Sequence, residues 1–252
     1  MRRWWLKLRL AQKKKMVCLL IIIFIELTLW IDILLGRGLQ QLFRLQCKAW
    51  VNQGQNIEGV PYADIINKSG ARYHVDPALV AAIVRCESNF ESRALSKAGA
   101  IGLMQICLPT WRDLKQGESD WQVFQSPEEE RQALYQPHVN ILAGTKYLQM
   151  MLTYYRGDVV KAVAAYNAGA ANVDRYQGIP PYAETKRYVH HVITVWLDYR
   201  GLNNETVTCY RWGRRMETLG LQGQGYLVIV CTVWLFALDT IHLFSWRYKR
   251  RW

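Results

Sequence analysis

Acidic residues are missing where the chain is most basic. Residues 1–15 hold seven Lys/Arg and no Asp or Glu, and residues 247–251 hold four more basic residues and again no acid. Of the formal net charge of +12, 11 charges therefore sit in two short tails. That distribution argues against a nucleic-acid binder, which carries its basic residues on a folded face. Sustained apolar/polar alternation is also missing, and no internal repeat occurs. No Gly-x-Ser-x-Gly elbow and no His-Glu-x-x-His pair is present, so two common hydrolytic machineries are excluded. The six cysteines fit no zinc spacing. Of the five histidines, the adjacent His190 and His191 would point about 100° apart on a helix, a poor chelate. No metal or cofactor is expected. Cys86 as a nucleophile would need a basic partner, which its neighbours Arg85 and Glu87 do not supply.

Long hydrophobic runs, in contrast, are present. Met16 to Leu35 is mostly apolar and spans roughly 30 Å as helix, enough for a bilayer core. Tyr226 to Trp246 is a second run, interrupted by Asp239 and His242. The first run is too long for a signal core and no Ala-x-Ala site follows it, so an uncleaved anchor is expected. Basic clusters flank the outer ends of both runs. By the positive-inside rule both termini are cytoplasmic and residues 36–225 lie outside. Cys47, Cys86, Cys107 and Cys209 would then face an oxidising space, where their pairing cannot be read from sequence. Free buried thiols are expected for Cys86 and Cys107.

Between the runs the pattern is helical. Asp76-Pro77 reads as an N-cap followed by proline at the first helical position, and Leu79, Val80, Ile83 and Val84 recur at helical spacing behind it. Ser126-Pro127-Glu128-Glu129 repeats the cap-plus-proline signal. Ile141, Leu142, Leu148, Met151 and Leu152 mark a long helix ending near Gly157. Asp158 caps the next, Val159 to Ala168, which stops at Gly169. A last helix runs from about Ala183 to Tyr199. The expected layout is a basic tail 1–15, a membrane helix 16–35, a linker 36–60, a globular domain 61–200, a linker 201–225, a second membrane helix 226–246 and a basic tail 247–252. The fold class is mainly α.

Glu87 lies at i+4 from Ile83 and i+7 from Val80, on the same stripe as those apolar residues. A carboxyl so placed is desolvated and holds its proton, the state a general acid needs near neutral pH. A buried Glu paired with an Arg, or closing a loop, is the alternative.

Further motifs favour the catalytic reading. Glu87-Ser88-Asn89-Phe90 is followed by Gly102-Leu103-Met104-Gln105-Ile106, then Ala165-Tyr166-Asn167-Ala168-Gly169, then Pro180-Pro181-Tyr182 and Tyr188-Val189. In this order the set resembles the catalytic domain of the soluble lytic transglycosylases, relatives of goose-type lysozyme, over roughly residues 61–200. The resemblance implies a helical, lysozyme-like domain with a sugar-binding cleft, flanked here by the two predicted membrane helices. Joined to the two apolar runs and their basic flanks, it points to a bacterial inner-membrane enzyme with a periplasmic catalytic domain. Its partners would be peptidoglycan glycan strands and membrane lipid, with a wall-spanning secretion or conjugation assembly compatible. Carried over by position, Glu87 is the acid/base. Ser96, Gln105, Tyr166, Asn167, Tyr182, Glu184 and Tyr188 fall where the family places residues that hold the sugar or steady the Glu. Each has a plainer alternative: Ser96 satisfying a loop amide, Gln105 bonding backbone in a Gly-bounded turn, Tyr166 as core, Asn167 as part of a helix C-terminus. Cys107 departs from the bulkier residue usual in the family, which bears on subsite shape.

Ordinary glycoside hydrolysis uses two carboxylates. After Glu91, one helical turn beyond Glu87 and expected to be solvated, no acid follows until Asp113. A single carboxyl suits a substrate-assisted route, in which the sugar's N-acetyl group stabilises the cationic centre. The resemblance implies the same: cleavage between N-acetylmuramic acid and N-acetylglucosamine with a 1,6-anhydro product. A muramidase or chitinase on the same fold, or a non-catalytic wall-binding scaffold, are the alternatives.

Overall fold

The computed structural model describes residues 2–116, 121, 126–202, 215 and 218–226. It divides into two compact units, residues 1–41 with 208–252, and residues 42–207. Among the described residues, α-helices make up both, and the only β-type pairing is two isolated bridges, Leu95 to Ile101 and Ile101 to Ile106.

The first unit is built on α1 (Arg2–Val51). Leu19, Leu20, Ile21, Ile23 and Phe24 are all exposed, so protein packing does not account for this apolar surface. Within Met16–Val51, α1 is long and apolar enough to cross a membrane. It is the one such helix among the described residues, where two were expected. Beyond Tyr226 the second predicted span lies outside them. Part of the stretch expected as a linker, 218–225, is helical. There Gly220 comes so close to α1 that a Cβ would stand 2.8 Å from the Leu29 carbonyl oxygen and 2.7 Å from Ile33 Cγ1.

The stretch 36–60, also expected as a linker, is helical as far as Val51. The physical reason lies in the second unit, where Phe43, Cys47 and Val51 recur every four residues and are buried. That stripe gives the end of α1 a packed face. Arg44 adds a 3.3 Å ion pair to Asp158, and the Lys48 stem lies against Gly157.

The rest of the second unit is a helical body: α2 (Ala63–Tyr73), α3 (Pro77–Ser88), α4 (Leu108–Lys115), α5 (Pro127–Leu134), α6 (Pro137–Tyr154), α7 (Val159–Ala168), α8 (Ala170–Arg175) and α9 (Ala183–Tyr199). The caps read from the sequence are present: Asp76 accepts from the Ala78 amide, Ser126 from Glu129 and Asp158 from Lys161. α3 is the central helix, packed between α2 and α9, while α7 packs on α6 and α9. Its residues Ala78 to Val84 are buried on every side, which is broader than the single stripe read from the spacing and is the mark of a core helix. Only beyond Val84 does α3 emerge, so the last turn alone can present side chains to a cleft.

Asp76 does more than cap α3. Fully buried, it accepts hydrogen bonds from Trp196 Nε1 at 2.7 Å and Arg200 Nη1 at 2.6 Å. Arg200 Nη1 also donates to the Trp50 carbonyl at 3.0 Å, so the ends of α1 and α9 and the start of α3 meet at one carboxylate. The Arg200 side chain is only 7% exposed. Removing one member of a buried pair leaves the other charge desolvated, a loss of about 3–5 kcal/mol. Asp76→Ala is therefore expected to lower unfolding free energy by that amount in denaturant titration, and a loss near zero would show that Arg200 relaxes to solvent.

Candidate active site

Glu87 sits in the last turn of α3, which Asn89 ends in the left-handed conformation (φ 49°) with its amide bonded to the Arg85 carbonyl. Phe90 also has positive φ, 65°, so the chain reverses sharply directly after the helix. Ser88 Oγ lies 2.9 Å from the Leu103 carbonyl oxygen and ties this turn to the following loop. The reversal thus leaves Glu87 at the edge of the core.

Burial dominates the carboxyl's chemistry and pushes its pKa up from 4.5 to about 7; a hydrogen bond from the Tyr188 hydroxyl opposes that rise. The bond is 2.6 Å, from Tyr188 Oη to Glu87 Oε1. With Oε1 occupied as acceptor, the acid proton belongs on Oε2. The Tyr188 hydroxyl is itself held well above its usual range, first by burial and then by the Glu87 charge, so it remains a donor. Tyr166 closes another side: burial and then the nearby Glu87 raise its pKa, and its hydroxyl donates to the Met104 carbonyl at 2.9 Å. Its ring packs on Tyr147 with centroids 5.0 Å apart.

The loop carrying Gly102 to Ile106 is a tight double turn. Ile101 and Ile106 exchange both backbone hydrogen bonds, at 3.1 and 3.0 Å. Gln105 takes positive φ, and its amide nitrogen donates to the Gly102 carbonyl at 2.9 Å. Ser96 Oγ accepts from the Ala100 amide at 3.0 Å. Gln105 and Ser96 are thus both engaged with loop backbone, as their plainer readings had it. Asn167 and Glu184 are exposed and make no side-chain hydrogen bond among the described residues. Tyr182, 41% exposed, stands at the N-cap of α9 and donates to Asn172 Oδ1 at 3.2 Å. The fold therefore bonds Tyr188 to Glu87 and brings Tyr166 within electrostatic range of it.

Sequence reasoning missed Asn140. It is fully buried on α6, accepts from the Met104 amide at 2.7 Å and donates to the carbonyls of Ile101 (2.8 Å) and Leu134 (2.7 Å). One amide thus holds the loop by two hydrogen bonds and ties it to the end of α5 by a third. Gly102, at φ 75°, leaves room for it, and a Cβ there would collide with the Asn140 side chain. Gly144, one turn along α6, likewise admits Met104. A signal existed: Asn140, Gly144 and Leu148 share one helical stripe, and a polar residue on a buried stripe needs partners.

The thiols fit the expectation. Cys86 and Cys107 are free and half-buried, as Cys47 is free and buried; Cys209 lies outside the described residues. Burial, then Glu87, pushes the Cys86 thiol up to about 12, which keeps it protonated. Burial and Glu87 raise Cys107 as well. Glu91 is exposed. No group of metal-ligating side chains occurs among the described residues.

Comparison with known proteins places this geometry. The family model described as the Transglycosylase SLT domain matches residues 64–189. The membrane-bound lytic murein transglycosylase C of Sodalis glossinidius is 30% identical over 171 residues, covering 55% of this chain and 46% of that one. The protein of the same name from Yersinia pestis is 34% identical over 122 residues, covering 45% and 33%. The chain thus spans less than half the length of these relatives. The solved 70 kDa soluble lytic transglycosylase of Escherichia coli aligns with a TM-score of 0.50 and 29% identity, over 56% of this chain and 24% of that one.

Because burial raises the folded-state pKa of Glu87 above its unfolded value, the proton it retains stabilises the fold at low pH. This contribution fades as pH rises from about 4.5 through about 7. Glu87→Gln has no charge to desolvate. Its Tm relative to the parent is expected to climb by about 5–10 °C between about pH 5 and about pH 8. A pH-independent difference in calorimetry would show that the carboxyl is solvated.

Proposed function

The chain belongs to the Transglycosylase SLT domain family, and on that premise we propose that it is a membrane-anchored peptidoglycan lytic transglycosylase with Glu87 as its single acid/base. One observation carries the proposal: a carboxyl that burial keeps protonated to about pH 7, anchored through Oε1 by the Tyr188 hydroxyl. A family name alone does not set the reaction, since one fold hosts many functions. The state of this carboxyl bears on it directly.

In the first step Glu87 gives its proton to the glycosidic oxygen between N-acetylmuramic acid and N-acetylglucosamine, and the C1–O bond breaks. Charge builds at muramyl C1, where the sugar's own N-acetyl oxygen stabilises it. Glu87, now a carboxylate, takes the proton of the muramyl 6-hydroxyl as that oxygen bonds to C1. The products are a 1,6-anhydro end and a free 4-hydroxyl, and Glu87 is protonated again without water being consumed. The Tyr188 hydrogen bond supports the ionised half of this cycle, and burial supports the protonated half. A group that must both give and recover a proton works best with its pKa near the operating pH. The neighbouring Cys86 stays protonated and does not compete as nucleophile. Tyr166, Asn167, Gln105, Ser96, Tyr182 and Glu184 are assigned to the sugar. Asn167 and Tyr166 border the N-acetyl group.

For anchoring, the apolar stretch of α1 fits a bilayer, and two of the relatives are named membrane-bound. The basic residues at its start hold that end in the cytoplasm by the positive-inside rule. The catalytic body then lies on the periplasmic side, where peptidoglycan is.

Two measurements test this reading. Purified chain acting on peptidoglycan is expected to leave 1,6-anhydro ends by mass, and Glu87→Gln to lose about 10²–10⁴-fold in rate. Reducing ends would make the enzyme a hydrolase, and a variant within about tenfold of the parent would remove Glu87 as acid/base. Tyr188→Phe deletes the bond that lowers the Glu87 pKa. The basic limb of the kcat/KM profile, near pH 7 in the parent, is then expected to move to higher pH, with reduced turnover. An unmoved limb would mean that another group supplies the acid.

A further inference from the structure

We propose that a row of exposed tyrosines organised by α8, Tyr154, Tyr176 and Tyr182, is an additional glycan subsite that stacks on N-acetylhexosamine rings of the strand held at Glu87. The inference rests on the function proposed above and extends it beyond the bond being cut.

Exposure comes first. Tyr154 is 59% exposed, Tyr176 44% and Tyr182 41%. Yet these rings are not loose. Tyr154 donates to Asp174 Oδ2 at 2.8 Å and Tyr155 to Asp174 Oδ1 at 3.1 Å, so one carboxylate fixes two hydroxyls. The two rings meet edge to face with centroids 4.9 Å apart. Two residues before Asp174, Asn172 accepts the Tyr182 hydroxyl and donates its own amide to the Ala168 carbonyl at 2.8 Å. Tyr176, at the end of α8, stands edge-on to Tyr182 at 6.0 Å. Surface aromatic rings whose orientation is paid in advance by hydrogen bonds lose little entropy on binding.

The row also returns to the catalytic residues at both ends. Tyr155 lies within electrostatic range of Tyr147, whose ring packs on Tyr166 beside Glu87. Tyr147 and Tyr154 are seven residues apart on α6, on one helical face. At the other end Tyr182 begins α9, which carries Glu184 and Tyr188.

The chemistry fits a sugar better than other occupants. A pyranose presents an apolar C–H face rimmed by hydroxyls and amides, and tyrosine rings interleaved with a carboxylate and an amide match both parts. The Asp174 oxygens retain lone pairs that accept from sugar hydroxyls. An amphipathic helix would require a continuous apolar groove, which Asp174 and Asn172 interrupt. A nucleic acid would meet that carboxylate as a repulsion. A polymer strand engaged at Glu87 necessarily runs on past the scissile bond, so the occupant adjoining this site is more of the same strand.

The test uses the full chain in detergent in a Glu87→Gln background, so that binding is read without cleavage. Affinity is measured for long uncrosslinked glycan strands and for a tetrasaccharide fragment. Tyr154→Ala with Tyr176→Ala is expected to raise Kd for long strands about tenfold while the fragment Kd stays within about twofold. Tyr154→Phe with Tyr176→Phe keeps the rings and is expected to retain most of the long-strand affinity. An unchanged Kd for long strands overturns the subsite, as does equal weakening on strand and fragment, which would place the damage in the cleft. Should the chain with Glu87 restored bind strands but cut none, the proposed reaction fails while the strand-to-fragment ratio still supports the subsite. Absence of strand binding in the Glu87→Gln parent overturns both.

Discussion

The Asp76 carboxylate is the constraint on which the helical body of residues 42–207 depends. A fully buried charge is tolerable only with partners, and Asp76 finds them in Trp196 and Arg200 of the α9 end and in its own helix amide. These bonds join α3 and α9 at the start of α3. About 16 Å further along that helix, at eleven residues of 1.5 Å rise, Glu87 and Tyr188 join the same two helices again. The second contact is the one on which the proposed chemistry rests, and the first restrains the helix pair that makes it. Through the Trp50 carbonyl the same guanidinium takes up the end of α1, so the helix that enters the body terminates on its central charge pair.

The site itself arises from two opposed demands on one side chain. Seven successive residues of α3, Ala78 to Val84, are buried, and the helix delivers Glu87 from that core before the chain turns away at Asn89 and Phe90. Desolvation favours the neutral acid, and the Tyr188 hydroxyl favours the anion. Burial outweighs the hydrogen bond, and the balance falls near neutral pH. A structural carboxylate looks different here: Glu130, although desolvated, is held below its usual pKa by Lys115 and Arg112. Paired cations hold Glu130 below its usual pKa, whereas burial holds the Glu87 carboxyl above it.

In the proposed reading, recognition and chemistry draw on different parts of the chain. The carboxyl comes from the end of a buried core helix. The groups assigned to the sugar come from a loop clamped by Asn140 and from the α7–α9 segment, where tyrosines are oriented by Asp174 and Asn172. In the loop a buried amide makes the bonds, and among the tyrosines an exposed carboxylate and a half-buried amide do, so that side chains facing solvent still have partners.

What the sequence determined alone was local. The caps at Asp76, Ser126 and Asp158, the glycine stops and the helical spacing of apolar residues describe bonds and neighbours within about one turn, and these helices formed where the pattern put them. Glu87 was legible as an anomaly on an apolar stripe, and the ordered motifs around it supplied the family. Tertiary structure alone decided the partners: Tyr188 for Glu87 across 101 residues, Asn140 for the loop across 36 and 39, Arg200 for Asp76 across 124. It also turned the supposed linker after residue 35 into helix, because Phe43, Cys47 and Val51 acquire a stabilising face only once the body is there to pack against. Periodicity reports which side of an element is apolar; which polar group meets which depends on how the elements are assembled, because those bonds form only when distant segments are brought within hydrogen-bonding distance.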